Sequence, residues 1–248
     1  AVFVLAVSIA ILGATVAGFG LKPGSVRREA TVKRPLPALL AEGIREARVN
    51  PRTALAYAAS MAARGDMVVV GAFTFLWLVR YTSDQGLNIQ EGYARGQMIV
   101  PLITLTVMLS APLMGVVLDR IDRVTGIIVA FTLSAMGYTF MGMIENPFTN
   151  VVFAAAILLG LGEGVCIMSS IALIGQNAPA KTRGSVIGTF AACGATGMLI
   201  ASGVGGFLFD RWTYTGPFLF MGMINAGVLL FAIYVRLKHP ATLHVRHG

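Results

Sequence analysis

The sequence predicts an all-α polytopic membrane protein with seven transmembrane helices. Three observations carry this. Hydrophobic residues make up 56% of the 248 residues and charged residues only 12%, about half the charged share usual in soluble domains. Apolar runs recur at 1–19, 98–118, 124–144, 151–174, 186–208 and 216–237, each near the roughly 17–25 residues a helix needs to cross the hydrocarbon core. The basic residues collect in the short stretches between those runs, where signals of membrane topology belong.

The first element is the run 1–19. It opens at Ala1 with no basic stretch ahead of it, so a cleaved secretory signal is not predicted and the sequence reads as starting inside a longer protein. A basic segment, 20–50, follows. Within it Leu36, Leu40, Ile44 and Ala47 recur among charged residues. That spacing fits a short amphipathic helix lying on the membrane surface, and equally a partly helical tether. Pro35 and Pro37 set its upstream limit.

The next span is the least regular. Met67 to Val79 is free of charge, but that run makes only about 20 Å of helix against a core of roughly 30 Å. The helix must borrow length upstream. Asn50 followed by Pro51 reads as an N-cap with proline at the first helical position. A helix over 51–82 results, and it carries Arg64 and Asp66 into the membrane or to its inner edge. The remaining five runs supply the other spans. Trp77 and Tyr81, then Trp212 and Tyr214, are placed to join an aromatic belt at the outer interface.

Alternate sides of seven spans can be compared for charge. One side collects Lys22, Arg27, Arg28, Lys33, Arg34, Arg45, Arg48, Arg52, Arg120, Arg123, Lys181, Arg183, Arg236, Lys238 and Arg246; the other has Arg80, Arg95 and Arg211. The bias places the basic segment and the C-terminal tail, 239–248, in the cytoplasm. The net charge of +8 is therefore a topology signal, and no nucleic-acid partner is predicted. Cys166 and Cys193 both lie inside apolar runs, with neither the spacing of a disulfide framework nor that of a metal site. No metal and no cofactor are expected. The run Gly160–Gly164, GLGEG, lacks the sixth-position glycine and the strand–helix–strand surroundings of a dinucleotide loop. In a membrane helix it is a contact surface of small residues.

Two motifs point to a family. GVVLDRIDR, at 115–123, lies between two spans on the cytoplasmic side. Gly115, Asp119, Arg120 and Arg123 match the pattern Gly-x-x-x-Asp-Arg-x-Gly-Arg, with Asp122 where glycine is usual. GQNAPAKTRGSVIG, at 175–188, has Pro179 and Arg183-Gly184 in a loop leading into a glycine-rich helix. With one span, a long basic loop and six close spans, the layout resembles the last part of a major facilitator superfamily transporter. The resemblance implies that 1–19 is helix 6, 20–50 the central cytoplasmic loop and 51–238 the six-helix C-terminal half, with an N-terminal half missing. It also implies that Gly115, Asp119, Arg120 and Arg123 form a cytoplasmic latch between transport states; a plain topology-setting turn is the alternative. Gly160, Gly164, Gly184, Gly188, Gly194 and Gly197 would give thin helix faces for close packing.

Three charges fall deep within spans: Arg64, Asp66 and Glu163. A charge at the bilayer centre costs about 2.5–3.5 kcal/mol on insertion scales, so each needs a cavity or a partner. Arg64 and Asp66 stand two apart and do not share a helix face. The three are candidates for substrate binding or proton coupling, against a structural ion-pair role. In the families resembled, the first helix of each half lines the cavity, which favours Asp66. The expected function is secondary active transport of a small solute by alternating access, coupled to protons, in a cell membrane, with a bacterial inner membrane as the default. The chain is not expected to be an enzyme: His239, His244 and His247 all lie in the tail, outside any intramembrane catalytic set. The alternative is a membrane sensor or assembly protein that keeps the fold without transporting.

Overall fold

A computed structural model describes residues 11–13, 15–16 and 35–239, apart from the side chain of Asp119. The chain divides into two units at Pro35. In the first, residues 11–13 and 15–16 are helical, and the Thr15 hydroxyl donates back to the Ile11 carbonyl at 3.0 Å and the Leu12 carbonyl at 2.8 Å. The rest of the expected first span, the basic stretch 17–34 and residues 240–248 of the tail lie outside the described residues.

The second unit is all helix. A short helix α1, Leu36–Val49, precedes six helices long and apolar enough to cross a membrane. These are α2, Pro51–Asp84; α3, Ile89–Arg120; α4, Arg123–Gly142; α5, Val151–Asn177; α6, Arg183–Arg211; and α7, Gly216–Lys238. The chain is a polytopic membrane protein. The ends follow local chemistry. Asn50 caps α2 by accepting from the Arg52 amide at 3.0 Å, with Pro51 in the first turn. Asn88 does the same for α3 through the Gln90 amide at 3.0 Å. Asp122 caps α4, its Oδ2 accepting from the Val124 and Thr125 amides at 3.0 and 3.4 Å. Each satisfies donors that the first turn of a helix leaves unpaired.

Helix α2 is not one regular helix. A π turn, Val69–Phe73, separates its α-helical parts Pro51–Val68 and Thr74–Asp84. Around it the bundle is assembled from pairs: α4 packs on α5 and α7, α2 on α6 and α5, and α3 on α5. Glycine sets the closest approaches. A Cβ at Gly197 of α6 would collide with the Met61 carbonyl of α2, and one at Gly162 of α5 with the Ser134 backbone of α4.

The buried core forms two clusters. One surrounds Leu55, Phe131, Cys166 and Val186; the other surrounds Trp77, Tyr138, Leu159 and Phe218. The second corrects the belt reading of Trp77. Its ring is 1% exposed and meets Phe218 edge-on at 5.8 Å. Trp212 is exposed. Helix α1 forms over the expected residues. It docks on α6, with Gly43 buried against Thr189 and Ser185. The Tyr57 hydroxyl of α2 lies 3.1 Å from the Gly43 carbonyl and 3.2 Å from that of Val186, so one side chain ties α1, α2 and α6. Leu36, Ile44 and Val49 remain on its outer side.

Candidate functional site

The three deep charges separate by face. Arg64 and Asp66 are two residues apart on α2, which turns them about 200° from each other around the axis. Asp66 points into the bundle and is 0% exposed. Its Oδ1 accepts from Asn225 Nδ2 of α7 at 2.9 Å, and its Oδ2 from the Ser134 hydroxyl of α4 at 3.3 Å. The Tyr138 hydroxyl donates to the Asp66 carbonyl at 3.0 Å. Asn225 Nδ2 also donates to the Met221 carbonyl at 2.9 Å. Asn225 Oδ1 is buried without a partner among the described residues. The network therefore joins α2, α4 and α7 immediately before the π turn, a helix irregularity often found at functional positions.

Glu163 on α5 is 7% exposed and makes no hydrogen bond or ion pair among the described residues. Its neighbour Gly162 lies on the Ser134 backbone, so Glu163 stands beside the α4 turn that carries the Asp66 contacts. Gly160 lies against Ile103 and Thr106 of α3, and Gly164 against Val107 and Ser110.

Arg64 is exposed. It opens onto a shallow groove between α2, α5 and α6, lined by Ser60, Ile167, Ser170, Ile171 and Phe190. A Cβ at Gly194 would stand 2.8 Å from Arg64 Cγ and 3.0 Å from Ser60 Oγ; the missing side chain is what lets the arginine stem lie along α6. No acid among the described side chains pairs with Arg64. Gly184 and Gly188, at the start of α6, have no described atom within 4 Å of a Cβ position.

At the end of the bundle that holds 115–123, Asp122 is the junction. Beyond capping α4, its carboxylate faces Arg52 of α2 at 3.5 Å and Arg236 of α7 at 3.6 Å. The Arg236 guanidinium also meets the Thr125 hydroxyl. Of the motif residues, Arg123 donates to the Leu118 carbonyl at 2.7 Å, Arg120 is exposed, and Gly115 has only Met168 Cε nearby, 3.8 Å from where a Cβ would be. The Asp119 side chain lies outside the described ones. Ser134 and Tyr138 were not singled out from the sequence. Their only signal is the four-residue spacing that puts them on one face of α4, flanking the close approach of Gly137 to the Leu159 backbone.

The model for the Major Facilitator Superfamily matches residues 94–247. The chain belongs to this superfamily. Among its relatives, the magnetosome protein MamH of Paramagnetospirillum magneticum is 33% identical over 186 residues, which cover 75% of this chain and 43% of MamH. The magnetosome protein MamZ of the same organism is 27% identical over 186 residues, 75% of this chain and 29% of MamZ. A probable inositol transporter of Arabidopsis thaliana is 28% identical over 123 residues, half of this chain and 20% of that protein. The chain thus spans less than half the length of these relatives.

Proposed function

We propose that this chain is the C-terminal part of a secondary active transporter, which moves a small solute by alternating access and couples that movement to protons. In this reading 1–19 corresponds to helix 6 of the superfamily fold, 20–50 to its central cytoplasmic loop and 51–238 to the six-helix half. The N-terminal half supplies the other wall of the solute path. The observation that carries the reading is the state of Glu163. It is a nearly buried carboxyl in mid-span with no hydrogen bond among the described residues, and an intramembrane acid generally marks an ion pathway. It can exchange a proton without dismantling anything. At Asp66 the exchange would weaken the bonds from Asn225 and Ser134. Glu163 is therefore the proton carrier, and Asp66 links any change there to α4 and α7.

The cytoplasmic segment 115–123 serves as the latch between the halves, and the Arg52–Asp122–Arg236 tie holds this half together. The names of MamH and MamZ support a bacterial, magnetosome-type membrane, and the basic segment and C-terminus are placed on the cytoplasmic side.

The test is solute flux by the full-length parent in energised vesicles, with and without a protonophore. Flux that collapses with the protonophore, and that loses its pH dependence in Glu163→Gln, is expected. An unchanged pH profile in E163Q would remove the coupling role. No flux of any solute from protein shown to be folded and inserted would favour the sensor or assembly reading.

A further inference from the structure

Of the three deep charges, the two acids face inward and the one base faces outward. Arg64 is thirteen residues beyond Pro51 in a 34-residue helix, about 20 Å along its axis. Among the described residues no other exposed arginine lies so far from a helix end: Arg80, Arg120, Arg183, Arg211 and Arg236 all sit within about two turns of one. Two structural features keep Arg64 where it is. Gly194 leaves room for its stem, and the groove it enters is otherwise apolar apart from Ser60 and Ser170. Those two hydroxyls are already committed as donors, Ser60 to the Phe190 carbonyl at 3.0 Å and Ser170 to the Ile167 carbonyl at 2.9 Å. Among the described residues the groove between α2, α5 and α6 therefore carries one charge, that of Arg64, and neither Asp66 nor Glu163 lines it.

We propose that the transported solute is an anion, a small carboxylate or phosphate, recognised by the Arg64 guanidinium in the groove between α2, α5 and α6. This rests on the transport reading given above. A guanidinium is the side chain best matched to such a solute: it stays charged at any working pH, and its planar donors meet two oxygens at once. The groove itself holds only about 10 Å³, so the solute meets Arg64 at its mouth; a charged solute loses hydration against an apolar surface, and a fixed cation there offsets the loss. Neutral polyols gain nothing comparable, which sets this site apart from one built for a sugar alcohol. The rival arrangement is a permanent ion pair between Arg64 and an acid elsewhere in the longer protein. It would leave the guanidinium closed to water in every state.

The experiment uses the full-length parent in liposomes and has two readouts. The first is labelling of Arg64 by phenylglyoxal, followed by mass spectrometry, with inorganic phosphate, succinate or inositol present. Arg64 is expected to label, phosphate or succinate to slow the labelling severalfold, and inositol to leave it unchanged. The second is uptake of phosphate and succinate by Arg64→Gln and Arg64→Lys. R64Q is expected to lose anion uptake almost completely and R64K to keep part of it. An Arg64 that never labels overturns the proposal in favour of the fixed pair. Labelling that neither anion slows, or protonophore-sensitive flux that R64Q leaves intact, overturns it while transport stands. If no solute at all is carried, the transport reading falls, and protection of Arg64 by anions still decides whether the groove binds them.

Discussion

Arg64 and Asp66 are two residues apart on one helix and live in opposite worlds. Asp66 is held by Asn225 and Ser134 and has no exposed surface. Arg64 is exposed over a glycine and has no acidic partner among the described side chains. Depth in the membrane is the same for both, so depth alone cannot assign a role. The face does. Asp66, turned inward, is part of what holds the helices together. A charge turned outward can meet a solute.

That contrast breaks first at Asp66. Asp66→Ala strips the acceptor from two buried donors, and it should lower the unfolding free energy by on the order of 3 kcal/mol, read as a large loss of thermal stability in detergent. Asp66→Asn keeps an acceptor for Asn225 and should cost about 1 kcal/mol. If D66A were as stable as the parent protein, the network would be incidental.

The close approach of α6 to α2 comes next. Gly197→Val places side-chain atoms on the Met61 carbonyl and should cost about 1–3 kcal/mol by overpacking, visible as loss of monodisperse protein in size-exclusion chromatography. The Arg52–Asp122–Arg236 tie is weaker. Asp122→Ala removes an N-cap worth about 1 kcal/mol and two partly exposed ion pairs that add little. Asp122→Asn, which still caps, should restore most of the lost melting temperature. The smallest effect belongs to Arg64. R64Q should change stability by no more than about 0.5 kcal/mol, as for exposed positions without fixed partners. A large drop in melting temperature for R64Q would mean that Arg64 is structural after all, and would erase the distinction between the two faces.

Most of the fold was legible from one-dimensional signals. The six described membrane helices begin and end within a few residues of the apolar runs, apart from the N-terminus of α3, because bilayer thickness dictates their length. Asn50 and Pro51 announced the start of α2. The deep charges were legible for the same reason: a charge in an apolar run stands out. Their faces were not. Asp66 was favoured for the cavity on the grounds of its helix, and the structure turns it into the bundle. Which of two residues 200° apart faces inward depends on what α4 and α7 present, and Ser134, Tyr138 and Asn225 lie 68 to 159 residues away in sequence. Trp77 was misplaced similarly. An aromatic ring near a span end satisfies a belt as well as a core, and only Phe218 decides it.

The π turn has a consequence for how α2 is read. Up to Gly71, inside the turn, the exposed residues are Arg64, Met67 and Gly71; from Ala72 on they are Ala72, Leu76, Arg80, Ser83 and Asp84. Extrapolating the first series at helical spacing would bring Thr74 and Leu78 to the outside, yet both are fully buried. The wide turn acts as a one-residue phase slip of about 100°. A helical wheel drawn through the whole span therefore mislabels the positions after Phe73, and a cysteine-accessibility scan along α2 should show its period jump by one residue between positions 71 and 72.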